Sequence, residues 1–170
     1  MSRKIAVLGL GSRGSAWAEA FRDAGWRVSG FDPDPIANGP ASGSRGWRRE
    51  TTISSTASHA DWVILCLPER LELVQKVIQR AQAEAPAGAI IAVVSARFDI
   101  DAVQGCAVRP ERVVLIDGLP GGNADLNLSQ RNPPDLKVDA LALLSQVCPG
   151  ADPGAERVPE DDQKDDARSA

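Results

Sequence analysis

The chain has 170 residues, of which 43% are hydrophobic and 25% charged, a composition typical of one compact domain with a sizeable core. The last twenty residues hold seven acids and three bases, which accounts for the whole formal charge of −4 and leaves residues 1–150 with no net charge. Such a distribution gives no electrostatic reason to expect nucleic acid or an anionic membrane as a partner. No signal peptide is visible and no apolar run approaches the ~20 residues that span a bilayer, so a cytoplasmic protein is expected.

Several residue types are scarce, and their scarcity excludes some chemistry. The sequence has no Tyr and a single His, His59, which rules out a tyrosine acid or base and any site built on two His. Cys66, Cys106 and Cys148 lie about forty residues apart without CxxC spacing. We therefore predict small buried thiols and no metal site.

The first fifty residues predict strand, helix and strand in that order. Residues 4–8 form a continuous apolar run typical of a buried parallel strand. Apolar residues at helical spacing from Ala16 to Ala24 then predict a helix, and residues 26–31 a second strand. This is a βαβ unit, which is right-handed in nearly all known cases.

The remaining pattern continues the alternation. Residues 34–50, rich in Pro, Gly, Ser and Arg, are expected to form a surface loop. The elements predicted after it are a short strand at 51–54, a helical turn at 56–60, strands at 61–67, 89–94 and 112–117, and helices at 71–85, 99–103 and 135–147. Residues 118–134 are expected to be a loop.

Strands alternating with helices predict an α/β fold, a doubly wound parallel sheet of Rossmann type in a single domain with about six strands. The domain is expected to occupy residues 1–150. Residues 151–170 carry no apolar periodicity, so we predict an acidic, disordered tail.

The turn after the first strand carries the main functional signal. It reads Gly9-Leu10-Gly11-Ser12-Arg13-Gly14, a GxGxxG between a strand and a helix. Its first glycine permits a tight turn, the second lets a pyrophosphate approach the backbone, and the third lets helix and strand pack closely. The N–H groups of Ser12 and Arg13 would face the anion.

Asp32 completes this motif at the end of the next strand, eighteen residues after Gly14. Its carboxylate would accept hydrogen bonds from the adenosine ribose and repel a 2′-phosphate, which favours NAD over NADP. The simpler interpretation is that the glycines only serve a tight turn. Another alternative is that the arginines of the following loop bind a 2′-phosphate, although we expect these side chains to be exposed to solvent. These arginines are Arg45, Arg48 and Arg49.

At these residues the chain resembles a known family. The opening K-I-A-V-L-G-L-G-S-R-G-S-A-W-A, the segment P-E-R-L-E-L from Pro68 and the segment R-P-E-R-V-V from Arg109 resemble NAD-dependent 3-hydroxyacyl-CoA dehydrogenases and their relatives the carnitine dehydrogenases. The resemblance covers residues 3–116. The group of 3-hydroxyisobutyrate and 6-phosphogluconate dehydrogenases shares the first half.

The resemblance implies roles for further residues. Leu67 and Pro68 would lie beneath the nicotinamide ribose, and Glu69 matches an acid near the cofactor. Ser95 matches a serine near the substrate hydroxyl. The alternatives are that Glu69 interacts only with a helix dipole and that Ser95 only caps a turn.

Two departures from this family affect catalysis. The position of the family's catalytic His is Asp117 by direct counting, or Ser129 if a loop is inserted before Asn132-Pro133. An aspartate has an ordinary pKa of about 3.9 and would need strong desolvation to act as a base near neutral pH. We also expect these 170 residues to lack the helical second domain that completes the substrate pocket in this family, and we expect His59 at the surface.

We therefore expect an NAD(H)-binding domain of a 3-hydroxyacyl-CoA dehydrogenase-like oxidoreductase, with little turnover by the isolated chain. Hydride transfer between a 3-hydroxy substrate and NAD would need a dimer mate or a separate helical substrate-domain chain. One alternative is a catalytically silent dinucleotide-binding or sensor protein. The other is the NAD-binding part of a 3-hydroxyisobutyrate or 6-phosphogluconate-type dehydrogenase.

Overall fold

A single sheet of seven strands organises the chain. The computed structural model describes residues 3–37 and 39–150, so the tail predicted for residues 151–170 lies outside the described residues. The strands are β1 Lys4–Leu8, β2 Arg27–Phe31, β3 Trp47–Arg49, β4 Trp62–Leu65, β5 Ile90–Val94, β6 Val113–Gly118 and β7 Ala124–Asn127. Their order across the sheet is β3-β2-β1-β4-β5-β6-β7, and only the β6–β7 pair is antiparallel within the described part of the chain.

Helices cover both faces of this sheet. They are α1 Ser12–Asp23, α2 Ile53–Ala57, α3 Leu71–Glu84, α4 Ile100–Gln104 and α5 Pro134–Ser145. The helices α1 and α5 pack on one face, where Trp17 and Phe21 are fully buried with ring centroids 5.8 Å apart. The helices α2, α3 and α4 pack on the other face through residues such as Ala57, Ile78 and Val103. The doubly wound Rossmann fold predicted from the sequence is confirmed.

Two parts of the prediction were wrong between residues 34 and 60. The short strand predicted at 51–54 is β3 instead, and it lies inside the predicted loop. The helical turn predicted at 56–60 begins earlier, at Ile53, because the Thr52 side chain accepts a 3.0 Å hydrogen bond from the Ser55 N–H and caps the helix. β3 lies at the sheet edge with two exposed arginines, so it lacks the apolar run that marks a buried strand.

The loop predicted at 118–134 was also wrong in part, because it contains β7. This strand pairs antiparallel with β6, with Gly118 opposite Ala124 and Leu115 opposite Asn127. Ala124 is buried and Leu126 packs against the core, while Asp125 and Asn127 are exposed. This alternation is the signature of a half-exposed edge strand, and it raises the strand count from about six to seven.

The strand order creates a crevice at one place. From β1 the chain first moves outward to β2, and later passes to β4 on the other side of β1. The loops that leave the carboxyl ends of β1 and β4 therefore diverge to opposite faces of the sheet. In open α/β sheets ligands bind at this topological switch point.

Candidate functional site

The loop after β1 is the tight turn that the sequence predicts. The Gly9 N–H donates a 2.8 Å hydrogen bond to the Phe31 carbonyl at the end of β2, and Gly9 has a φ of +94°. A Cβ atom at Gly9 would lie 2.2 Å from the Cys66 carbonyl oxygen. Only glycine tolerates both the backbone conformation and this close approach to the chain leaving β4.

The other two glycines of the turn have opposite surroundings. A Cβ atom at Gly14 would lie 1.7 Å from the Gly9 carbonyl oxygen, so Gly14 lets α1 pack directly on the turn. A Cβ atom at Gly11 would meet nothing within 4 Å. Gly11 caps α1 without a side-chain hydrogen bond, and the first turn of the helix has no acidic side chain. The helix N-terminus therefore faces an open space suited to an anion.

Asp32 lies directly beside this turn. Its Oδ2 accepts a 2.7 Å hydrogen bond from the Leu10 N–H, and its Oδ1 accepts a 2.8 Å hydrogen bond from the Asp34 N–H. Leu10 itself is fully buried and fixes the turn to the core. The carboxylate is half-buried and retains lone pairs for a hydroxyl donor at the end of β2.

A cleft of about 550 Å³ joins these groups. It is lined by Gly11, Ser12 and Arg13 from the glycine turn and the start of α1, by Asp32 after β2, and by Leu67 and Pro68 from the loop after β4. Further apolar lining includes four partly buried side chains, which are Phe31, Ile53, Leu73 and Val77. The cleft thus combines an anion-binding helix end, a carboxylate and an apolar wall, a combination suited to a nucleotide.

The arginines of residues 45–49 lie in two different places. Arg49 donates to the carbonyls of Asp34 and Ala37 at 2.7 and 2.6 Å, so it holds the loop that follows Asp32. Arg45 and Arg48 instead line a separate cavity of about 780 Å³ beside Lys4. Because Lys4 begins β1 whereas Gly9 follows its end, Arg45 and Arg48 lie away from the crevice.

A hydrogen-bonded cluster closes the crevice where β4 and β5 end. Glu69 Oε1 accepts a 3.0 Å hydrogen bond from Ser95 Oγ and lies 3.4 Å from Arg13 Nη1, while its Oε2 lies 2.9 Å from Arg97 Nε. Arg13 Nη2 also donates to the Leu67 carbonyl at 3.3 Å. Ser95 is buried and its Oγ accepts from the Arg97 N–H, so it caps a turn as well as binding Glu69.

This cluster keeps Glu69 ionised. Burial by itself raises the pKa of the carboxyl, but the Ser95 hydrogen bond and the charges of Arg13 and Arg97 outweigh it and lower the pKa below the ordinary value. Arg97 was not singled out from the sequence. Its place just after β5, at the same sheet edge as the glycine turn, is the signal that would have identified it.

The cysteines are not all buried as predicted. Cys66 lies beneath the glycine turn and Cys148 is fully buried, but Cys106 is exposed. Burial raises the pKa of the Cys66 thiol to about 12, although the nearby Arg13 charge acts in the opposite direction. Cys106 follows the short helix α4, where the chain leaves the core. The spacing of the cysteines along the sequence does not predict this exposure.

The two candidate positions for a general base lie far apart along the fold. Asp117 is exposed near the carboxyl end of β6, opposite Asp125 of β7. Ser129 donates a 2.6 Å hydrogen bond to Gln104, and its turn is tied through Asn132 to the Val113 carbonyl at the start of β6. Ser129 is therefore at the end of β6 opposite to the crevice.

His59 is exposed in the connection between α2 and β4, as expected from the sequence. Since it is the single His of the chain, the crevice contains no imidazole. No group of three or more His, Cys, Asp or Glu side chains among residues 3–37 and 39–150 is placed to hold a metal ion. In the same residues no helix has both the length and the apolar character needed to span a membrane.

The fold and the crevice define a dinucleotide-binding domain of Rossmann type. A sequence model of the family described as the NAD binding domain of 6-phosphogluconate dehydrogenase matches residues 4–113, and the chain belongs to this family of NAD-binding domains. The cofactor expected from Asp32 and the glycine turn, NAD, is thus the cofactor of its family.

Curated relatives support the more specific resemblance stated above. The chain is 31% identical over 133 residues to an L-carnitine dehydrogenase/betainyl-CoA thioesterase of Agrobacterium fabrum, covering 66% of this chain and 27% of that protein. It is 29% identical over 132 residues to an L-carnitine dehydrogenase of Nocardiopsis dassonvillei, covering 66% of this chain and 40% of that protein. The chain therefore matches less than half the length of these relatives, and it is an NAD-binding domain like that of carnitine dehydrogenases.

Solved structures show the same fold. A 3-hydroxybutyryl-CoA dehydrogenase of Escherichia coli superposes with a TM-score of 0.75 at 18% identity, covering 86% of this chain and 36% of that one. An NAD-dependent 5-formyl-3-hydroxy-2-methylpyridine 4-carboxylic acid 5-dehydrogenase gives a TM-score of 0.77 at 21% identity, covering 87% of this chain and 56% of that one.

Proposed function

We propose that this chain binds NAD(H) in the crevice between the loops after β1 and β4, as the nucleotide-binding part of an oxidoreductase that acts on a 3-hydroxy substrate. The observation that carries the proposal is the joint geometry of the turn and Asp32. One cleft contains both the open space at Gly11 and the Asp32 carboxylate, which accepts a hydrogen bond from the N–H of the preceding residue, Leu10.

Each part of the cofactor has a suitable counterpart. The pyrophosphate would lie over Gly11 with the N–H groups of Ser12 and Arg13 directed at it. Asp32 would accept from the ribose hydroxyls, and its charge would disfavour a 2′-phosphate. The adenine would contact the apolar side chains, and the nicotinamide half would extend toward Leu67 and Pro68, which line the same cleft.

The substrate side is less complete. When bound, NAD supplies the hydride acceptor, and the substrate hydroxyl must lose its proton to a base. Ser95 directly follows β5, and Asp117 lies near the end of β6 at the same edge of the sheet. We propose that these two residues face a substrate. An exposed aspartate is a weak base near neutral pH, so efficient proton removal needs a further group.

We propose that this further group comes from a dimer mate or from a separate chain with a helical substrate domain. Carnitine dehydrogenases of more than twice the matched length supply the model for such a completion. We also propose a cytoplasmic location, as expected from the sequence.

The absence of an imidazole from the crevice favours a second candidate, a catalytically silent NAD(H)-binding or sensor protein. A third, the NAD-binding part of a 3-hydroxyisobutyrate or 6-phosphogluconate-type dehydrogenase, follows from the family that matches residues 4–113. All three candidates share the cofactor and differ in turnover and substrate.

Two assays separate these candidates. Calorimetric titration with NADH, and with NADPH as control, tests the shared cofactor, and absence of binding at millimolar NADH would reject all three. A hydride-transfer assay with 3-hydroxyacyl-CoA, carnitine and 3-hydroxyisobutyrate then tests the enzyme proposals. Binding without turnover on any of them, also after addition of a candidate helical partner chain, would favour the silent protein.

A further inference from the structure

The Arg13 side chain crosses the crevice. It starts in the first turn of α1, beside Gly11, and its guanidinium reaches Glu69 Oε1 at 3.4 Å and the Leu67 carbonyl at 3.3 Å. These partners belong to the loop after β4, on the other side of the switch point. The space between Gly11 and that loop is where a bound pyrophosphate would have to lie.

Arg13 is held only weakly in this position. Both of its contacts are longer than the 2.7–2.9 Å of a good charge-assisted hydrogen bond. Its side chain is 38% exposed, so it is partly hydrated already. A doubly charged pyrophosphate beside the helix N-terminus would offer the guanidinium a stronger, bidentate acceptor than Glu69 does.

Glu69 does not depend on Arg13. Its carboxylate also accepts from Ser95 Oγ at 3.0 Å and pairs with Arg97 Nε at 2.9 Å. If Arg13 turned away, Glu69 would keep its hydrogen bond from Ser95 and the charge of Arg97. The exchange of partners therefore leaves no unpaired carboxylate behind, which is the usual obstacle to breaking a partly buried ion pair.

We propose that Arg13 exchanges partners when the cofactor binds: in the free protein it bridges Glu69 and the Leu67 carbonyl across the crevice, and in the complex it binds the pyrophosphate. Glu69 then acts as a competitor that restrains Arg13 and lowers cofactor affinity. This inference rests on the proposed NAD(H) binding. It makes Arg13 a cofactor-binding residue and Glu69 a positioning residue that acts through it.

A double-mutant cycle on the full chain tests this competition, with NADH affinity as the readout. Arg13→Gln removes the guanidinium and is expected to weaken NADH binding about tenfold or more. Glu69→Gln frees Arg13 and is expected to tighten binding severalfold. In the double variant the gain from Glu69→Gln should disappear, because it is realised only through Arg13.

Three controls keep the cycle interpretable. Arg22→Gln removes a positive charge from the same helix at its far end, where Arg22 pairs with Asp23, and is expected to leave NADH affinity unchanged. Adenosine, which lacks the pyrophosphate, should bind the wild-type chain and Arg13→Gln equally. If Glu69→Gln does not fold, Glu69→Asp withdraws the carboxylate from Arg13 by one methylene and should tighten binding in the same direction.

The outcomes distinguish this inference from the function on which it rests. A wild-type chain that binds no NADH rejects both. A wild-type chain that binds NADH while Glu69 variants bind equally or more weakly rejects the exchange alone. Additive effects of Arg13→Gln and Glu69→Gln would also overturn it, since independent contributions mean that the two side chains do not compete.

Discussion

Asp32 Oδ2 accepts a 2.7 Å hydrogen bond from the Leu10 N–H, so the acid at the end of β2 binds the middle of the glycine turn after β1. The two strands are neighbours in register, with Leu8 opposite Phe31. One carboxylate thus fixes the shape of the anion site and remains at the edge of the same cleft to meet a ribose. These two roles can be separated by substitution.

Substitution of Asp32 by Asn keeps an oxygen that can accept from Leu10 but removes the charge. We expect NADH affinity to fall about tenfold or more, because hydrogen bonds to a charged acceptor contribute about 1.5–3 kcal/mol. The preference for NADH over NADPH should shrink as well, since the 2′-phosphate is no longer repelled. Titration of both cofactors checks this, and an unchanged preference would contradict the role given to Asp32.

The glycine turn offers a matched pair of substitutions. Gly14→Ala should destabilise the protein by about 3 kcal/mol, because its Cβ would lie 1.7 Å from the Gly9 carbonyl oxygen, which belongs to the backbone and cannot turn aside. Gly11→Ala should change stability by less than about 1 kcal/mol, since its Cβ meets nothing within 4 Å.

Although Gly11→Ala should hardly change stability, it should weaken NADH binding. Its methyl group would occupy the space over which the pyrophosphate is proposed to lie, so affinity should fall about tenfold or more in a folded protein. Urea unfolding and NADH titration of both variants test the pair. Wild-type affinity in Gly11→Ala would argue against the proposed position of the pyrophosphate.

Glu69 should make stability depend on pH. Its pKa in the folded protein lies below the ordinary value of 4.5, so the ionised side chain stabilises the fold above that pH. This contribution should be lost as the pH falls through the lowered pKa. The difference in unfolding free energy between wild type and Glu69→Gln is therefore expected to be constant near neutral pH and to shrink in acid.

Urea unfolding over this pH range measures the difference directly. Glu72→Gln is the matched control, because it removes an exposed acid from the first turn of α3 that lies outside the Glu69 cluster. A Glu69→Gln difference that grew in acid would show that folding raises the pKa of the Glu69 carboxyl instead of lowering it.

The three thiols should react at very different rates. Cys106 is exposed and should be labelled quickly by a thiol reagent in the native protein. Cys66, with a pKa raised to about 12, and the buried Cys148 should react only on unfolding. Mass spectrometry of the labelled peptides checks the order, and rapid labelling of Cys66 would mean that the turn above it opens.

The sequence predicted the buried strands and the turn between them well, for a physical reason. Strands such as β1 are covered on both faces, so they need continuous apolar runs that are legible in any sequence. The edge strands β3 and β7 have one neighbour each and exposed side chains, and with three and four residues they are too short to stand out from the loops around them. The pairing of these two edge strands with β2 and β6 therefore became visible only in the structure.

The candidate site was predictable to a similar degree. Gly9 and Gly14 follow from local backbone geometry, which the spacing of the motif encodes. The Glu69 cluster depends on side chains from three separate segments, which are Arg13 in α1, Glu69 after β4, and Ser95 and Arg97 after β5. Only the strand order brings these segments together. The sequence singled out Arg13, Glu69 and Ser95 individually, but it could not predict the contacts among them.

The central claim is that the crevice binds NAD(H), and calorimetric titration of the unaltered chain tests it most directly. We predict saturable binding of NADH and binding of NADPH that is weaker by about tenfold or more, because Asp32 repels the additional phosphate. Absence of NADH binding at millimolar concentration, or tighter binding of NADPH, would contradict the account.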